Sequence, residues 1–131
     1  MIYLLDTNIV SYIIKGEPTA RSRLIQLPIH QVAVSVVTQA ELLFGVAKRG
    51  YPSDLVAWVN AFLACSAVLP WTTEVARVYA QLRPEGESKG VVLAPMDLMI
   101  AAHAACINAT LVTRDQAFGL MPGLRVERWA A

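Results

Sequence analysis

Charge is scarce in this sequence. Charged residues make up 16% of it and hydrophobic residues 56%, against about a quarter charged in an average soluble domain. Two arrangements suit that balance: a well-buried α/β core, or apolar surface kept for a partner. It also raises the question of a membrane, because Leu55 to Thr73 carries no charged side chain and approaches the length of a spanning helix. Asn60, Ser66, Pro70, Thr72 and Thr73 interrupt that stretch, and Pro70-Trp71 breaks it. A helix followed by a short strand is therefore expected, and no membrane span. No charged region precedes the first apolar run, and Asp6 comes too soon for a signal peptide. Cysteine is nearly absent. Cys65 and Cys106 sit in apolar surroundings without C-x-x-C spacing, and are expected as reduced core residues of a cytoplasmic protein. His30 and His103 form no zinc-type cluster with them and are expected to be structural. There is no G-x-x-x-x-G-K phosphate loop and no visible Ser-His-Asp set.

What is present is an alternation of short apolar runs and helical segments. The 131 residues suit one domain, 1–131. Ile2-Leu5 reads as a buried strand, with Thr7 as cap of a helix from Asn8 to about Lys15 that stops at Gly16. Pro18 opens a helix to about Leu27, and Val32-Val34 is a second strand. Ser35 caps a long helix from Val36 to about Lys48. Asp54-Ala64 is helical, Ala67-Leu69 is a third strand, and Thr72 or Thr73 caps a helix to about Arg83. The polar segment Pro84-Gly90 reads as a loop. A helix then runs from Met96 to about Cys106, with Asn108 as a left-handed stop. Thr110-Thr113 is a fourth strand, Asp115-Leu120 a short helical turn, and Leu124-Arg128 a last strand. This order predicts an α/β fold with a mostly parallel sheet of four to five strands, covered by helices on both faces. Such sheets bind ligands at the carboxyl edge of their strands.

Acids gather at that edge. Asp6 directly follows the first strand, and Asp115 follows the fourth. Asp97 lies in the first turn of an otherwise apolar helix, where the helix N-terminus favours a carboxylate. Glu41 lies on the stripe of Val37, Phe44 and Gly45, with no cation along its helix before Lys48. Each aspartate has a purely structural reading as a cap, a first-turn acid or a turn residue. Together, four carboxylates repel one another unless cations neutralise them, and hard oxygen ligands suit Mg²⁺ or Mn²⁺. A metal held in this way is apparatus for phosphodiester hydrolysis by water.

The stretches L-L-D-T-N-I, S-V-V-T-Q-A-E-L-L-F-G, P-M-D-L-M-I-A-A-H-A and L-V-T-R-D…P-G-L-R-V-E-R-W, in that order and spacing, resemble the PIN-domain ribonucleases, and within them the VapC toxins of toxin–antitoxin pairs. The resemblance runs nearly end to end. It implies a three-layer α/β/α fold and a Mg²⁺- or Mn²⁺-dependent endoribonuclease. It implies Asp6, Glu41, Asp97 and Asp115 as the catalytic acids, with Asp6, Asp97 and Asp115 holding metal. It also implies supporting polar residues at Thr7, Asn8 and Thr113. Asn8 either orients Asp6 or is an ordinary first-turn residue. Relatives often have T-N-N where this chain has Thr113-Arg114-Asp115, so Arg114 is open to contact with RNA phosphate or with an acid. They also carry glycine and asparagine before the third acid, where this chain has V-V-L-A-P-M.

Setting the four acids aside leaves six acidic side chains against eleven basic ones, a balance suited to a polyanion. Lys15, Lys48, Arg49, Lys89 and Arg114 are the candidates to face RNA. The resemblance implies structured RNA as substrate, often tRNA, with motifs similar to those that cut initiator tRNA. It further implies a homodimer neutralised by a small VapB-like antitoxin lying in an apolar groove. Tyr12, Ile13, Ile14, Phe44 and Trp58 are candidates to line such surfaces, while Trp71 and Trp129 suit core or strand-end packing. The alternative is a PIN-like module that binds metal or nucleic acid without catalysis. A signalling receiver domain needs an acid pair after the first strand and an aspartate after the third, where this chain has Leu69-Pro70-Trp71. A haloacid-type phosphatase needs D-x-D, and Asn8 occupies its second position.

Overall fold

The computed structural model describes residues 1–130. Five strands form one sheet: β1 (Tyr3–Leu5), β2 (Val32–Ser35), β3 (Ala67–Leu69), β4 (Thr110–Thr113) and β5 (Arg125–Arg128). Their spatial order is β3-β2-β1-β4-β5, and every neighbouring pair is parallel. Six α-helices connect them: α1 (Thr7–Ile14), α2 (Pro18–Ile25), α3 (Val36–Lys48), α4 (Ser53–Cys65), α5 (Thr73–Ser88) and α6 (Pro95–Cys106).

The two-residue period of a strand divides each central strand between two cores. Leu4, Ala33 and Leu111 face one core, with α5 and α6 side chains such as Val75, Leu82 and Ile100. Leu5, Val34 and Val112 face the other, with Ile9, Ile13, Leu42 and Val59 from α1, α3 and α4. This is the three-layer α/β/α arrangement that continuous apolar strands require. The chain runs outward from β1 through β2 to β3, then returns to place β4 and β5 on the opposite side. The order therefore reverses between β1 and β4, where an open α/β sheet leaves a crevice at its carboxyl edge.

Several expectations are corrected. The segment Pro84–Ser88 is helical, not a loop, and α5 runs through Pro84. Leu82 anchors that turn in the core, and Arg83 pairs with Glu87 at 3.1 Å. Gly86 is buried against Met121, where an added Cβ would lie 2.9 Å from Cε, and its carbonyl accepts the Val91 amide at 2.8 Å. A glycine that signals a turn in the sequence serves here as a close-packing site. Cys65 is exposed rather than in the core, and Cys106 is half-buried; both are free. Ile13 is a buried core residue, Ile14 is largely buried but still borders a surface groove with Trp58, and Phe44 and Trp58 are exposed. Trp71 is half-buried and donates its indole N–H to the Met99 carbonyl at 3.0 Å, and Trp129 is buried beside β5. The uncharged stretch from Leu55 divides between α4 and β3. Among the described residues no helix is long and apolar enough to cross a membrane.

Candidate active site

The four acids come from four separate elements around the β1–β4 crevice. Asp6 ends β1 and is buried. It, and not Thr7, is the N-cap of α1: its Oδ1 accepts the Ile9 amide at 2.8 Å. Its Oδ2 accepts the Thr113 hydroxyl at 2.5 Å. Thr113, at the end of β4, also accepts the Asp115 amide at 3.0 Å. One buried hydroxyl thus joins the first acid to the last. Asp115 in turn caps the 3₁₀ turn Gln116–Leu120, accepting the Ala117 amide at 2.9 Å.

Thr7 is displaced from the capping role by a second bridge. Its hydroxyl donates to Glu41 Oε1 at 2.6 Å and stands 3.3 Å from the hydroxyl of buried Thr38, one helical turn before Glu41. This answers the question of how Glu41 is held on an apolar helix. Asp97 sits half-buried in the first turn of α6, after Pro95. Its carboxyl is pushed above the ordinary value by burial, then by the nearby charges of Glu41 and Asp115. Asp6 is raised further, to about 6. Burial is the main cause, the Thr113 and Ile9 hydrogen bonds oppose it, and the charges of Asp97 and Asp115 add to it. All four acids therefore share one electrostatic field.

Asn8 is exposed, and the oxygens of Asp6 are taken by Thr113 and Ile9 rather than by the Asn8 side chain. Asn8 instead lines a polar hollow with Arg114, Asp115, Gln116 and Arg128. On the other side a groove of about 340 Å³ runs from Thr7 and Glu41 past Ile14, Leu42, Val46 and Trp58. Lys15 and Arg49 line it, whereas Lys48 and Lys89 line neither depression. Sequence reasoning missed two features. Arg128 borders the polar hollow because β4 and β5 pair with Thr113 opposite Arg128. His103 is buried, its Nδ1 2.8 Å from the Ser35 hydroxyl that also accepts the Val37 amide at the start of α3. That contact ties the helix carrying Asp97 to the helix carrying Glu41. The available signal was a lone histidine on an apolar helix, which needs a polar partner once buried.

Among the described residues, no three His, Cys, Asp or Glu side chains are drawn in as a ready metal-sized cluster. The donor chemistry nevertheless fits a hard divalent cation, because the oxygens are carboxylate and burial, with the neighbouring negative charges adding to it, already raises Asp6 and Asp97. Thr113→Val removes the hydrogen bond that favours ionised Asp6. The expected outcome is a further rise in the Asp6 pKa and about tenfold weaker metal binding near neutral pH, measured by calorimetric titration with Mn²⁺. Unchanged affinity would remove Thr113 from the supporting set.

A family model described as "PIN domain" matches residues 3–124. The chain belongs to the PIN-domain family. PIN-domain nucleases are generally dependent on a divalent metal. The chain is 35% identical to Ribonuclease VapC2 of Rickettsia felis, over 98% of both sequences. It is 33% identical to the tRNA(fMet)-specific endonuclease VapC of Salmonella typhimurium, over 97% of both. The solved structure of VapBC2 from Rickettsia felis, bound to a fragment of promoter DNA, superposes with a TM-score of 0.91 at 34% identity. That match covers 99% of this chain and 100% of the other. The PIN fold expected from the sequence is the fold observed, with the sheet wholly parallel.

Proposed function

We propose that this PIN-domain protein is an endoribonuclease toxin that hydrolyses phosphodiester bonds in structured RNA, with tRNA, and initiator tRNA in particular, as the target. The observation that carries the reading is the pair of hydroxyl bridges, Asp6–Thr113–Asp115 and Thr7–Glu41, that hold acids from distant parts of the chain around one crevice. The named activities of the Rickettsia and Salmonella relatives support it.

Asp6, Asp97 and Asp115 would hold Mg²⁺ or Mn²⁺. Bound there, such an ion would lower the pKa of a water and stabilise negative charge on the departing oxygen. Thr113 keeps Asp6 oriented and favours its ionised form. Glu41 commits one oxygen to Thr7, which leaves the other to accept a proton from the attacking water. The apolar groove beside Glu41, rimmed by Lys15 and Arg49, suits an amphipathic segment of a VapB-like antitoxin that covers the acids. A cytoplasmic location and a homodimeric assembly belong to the same reading.

The test is cleavage of total tRNA by purified protein in Mg²⁺ or Mn²⁺, with the new ends mapped. Cuts confined to few tRNA species and lost in EDTA are the expected result. RNA left intact in both metals would overturn the proposal.

A further inference from the structure

The two depressions beside the acids differ in chemistry. The groove next to Glu41 is walled mainly by apolar side chains. The hollow next to Asp115 is lined by polar residues alone: Arg114, Arg128, Asn8, Gln116 and Asp115. We propose that this polar hollow is a subsite for an RNA backbone phosphate neighbouring the one that is cut, held by Arg128 and Arg114. The proposal rests on the nuclease reading and specifies how that site takes its substrate.

Three observations carry it. First, the hollow shares Asp115 with the acid cluster, so a chain seated over the acids passes directly into it. Second, the arginines are brought together by the fold. Thr113 pairs with Arg128 across β4 and β5, and Arg114 is the next residue along the β4 side. Third, Arg114 is pre-positioned, its guanidinium carbon 4.4 Å from the centre of the Tyr12 ring. Arg128 is exposed and forms no ion pair among the described residues.

The physical need is clear. A polyanion laid across four carboxylates is repelled, and a divalent ion offsets that repulsion only at the scissile phosphate. Flanking phosphates need fixed cations, and arginine binds a phosphate with two parallel N–H bonds. Asn8 and Gln116 add neutral N–H donors that an anion accepts without a further desolvated charge.

The experiment uses total tRNA as probe and compares Arg128→Gln, Arg114→Gln and Arg128→Lys with Arg77→Gln. Arg77 lies on α5 and pairs with Glu74, so its removal changes the net charge equally at a place outside the site. Two readouts are taken: KM and kcat for cleavage, and the salt dependence of binding between about 50 and 200 mM NaCl in an Asp97→Asn background. Arg128→Gln and Arg114→Gln are expected to raise KM about tenfold with little change in kcat. Each is expected to make the slope of log affinity against log salt shallower by about one. Arg128→Lys restores the slope but only part of the affinity, because an ammonium lacks the paired geometry. Arg77→Gln leaves both unchanged. If RNA is cut normally and the Arg128 and Arg114 variants match Arg77→Gln in KM and slope, the subsite is overturned and the nuclease stands. If the unmodified protein neither cuts nor binds tRNA, both readings fall.

Discussion

Asp97→Asn is expected to lower RNA cleavage in saturating Mg²⁺ by about a thousandfold or more, since loss of even an indirect partner of a metal ligand costs about 10 to 100-fold. Asp97 stands in the first turn of α6, where burial first and then the charges of Glu41 and Asp115 raise its pKa. Asparagine keeps its size and its place beside the helix N-terminus but removes the charge that would hold a cation. The fold survives, because the lost helix-dipole attraction, about 0.3–1 kcal/mol, is offset by relief of carboxylate repulsion. Circular dichroism and the metal-free melting curve check the fold, and single-turnover cleavage of tRNA checks the chemistry. Activity within tenfold of the unmodified protein would place the metal site elsewhere.

The second large effect concerns acid and stability. Asp6 has a pKa of about 6 in the folded protein, against about 4 for an unfolded aspartate. Folding therefore favours its protonated form. That contribution is complete below pH 4 and is lost as pH rises through 6, so ionised Asp6 costs the metal-free protein up to about 3 kcal/mol at pH 7.5. Asp6→Asn should raise the metal-free melting temperature at pH 7.5 by up to about 10 °C and flatten its change between pH 4 and 6.5. The same substitution should abolish the rise in melting temperature caused by Mn²⁺, which in the unmodified protein appears only as pH climbs past about 6 and the proton leaves. A drop in metal-free stability on Asp6→Asn would show that the carboxylate is stabilising as it stands.

Stability and activity would then oppose each other at one side chain. Burial raises the free energy of ionised Asp6, and the two hydrogen bonds from Thr113 and Ile9 recover only part of it. On the proposed reading a bound cation would recover the rest. Such a site would gain metal affinity chiefly from the burial of a carboxylate, with the charges of Asp97 and Asp115 adding to it.

Much of this was legible in the sequence for a local reason. Strand and helix positions follow from apolar period and caps, and β2, β3 and β4 with Ser35, Thr72 and Asn108 as their neighbouring helix signals lie where the pattern puts them. The α5 extension was not legible, because Pro84 and Gly86 signal a break locally. Only the arrival of Met121, far along the chain, makes a glycine in a helix the better fit. The capping of α1 was assigned to Thr7 because capping and catalysis were weighed as alternatives for Asp6. In the folded protein Asp6 is the cap, through Oδ1, while its Oδ2 is held by Thr113 and so stays beside the other acids.

By itself the sequence determined the acids, their order along a parallel α/β chain and the edge at which they emerge, since a residue's distance from a strand end is a local property. Tertiary structure alone decided the partners. Thr113 serves Asp6 across more than a hundred residues, Thr7 serves Glu41, His103 meets Ser35, and Arg128 comes beside Arg114 through strand register. Hydrogen bonds and charge fields act over a few ångströms of space and carry no trace in chain spacing, so these pairings exist only once the sheet has formed.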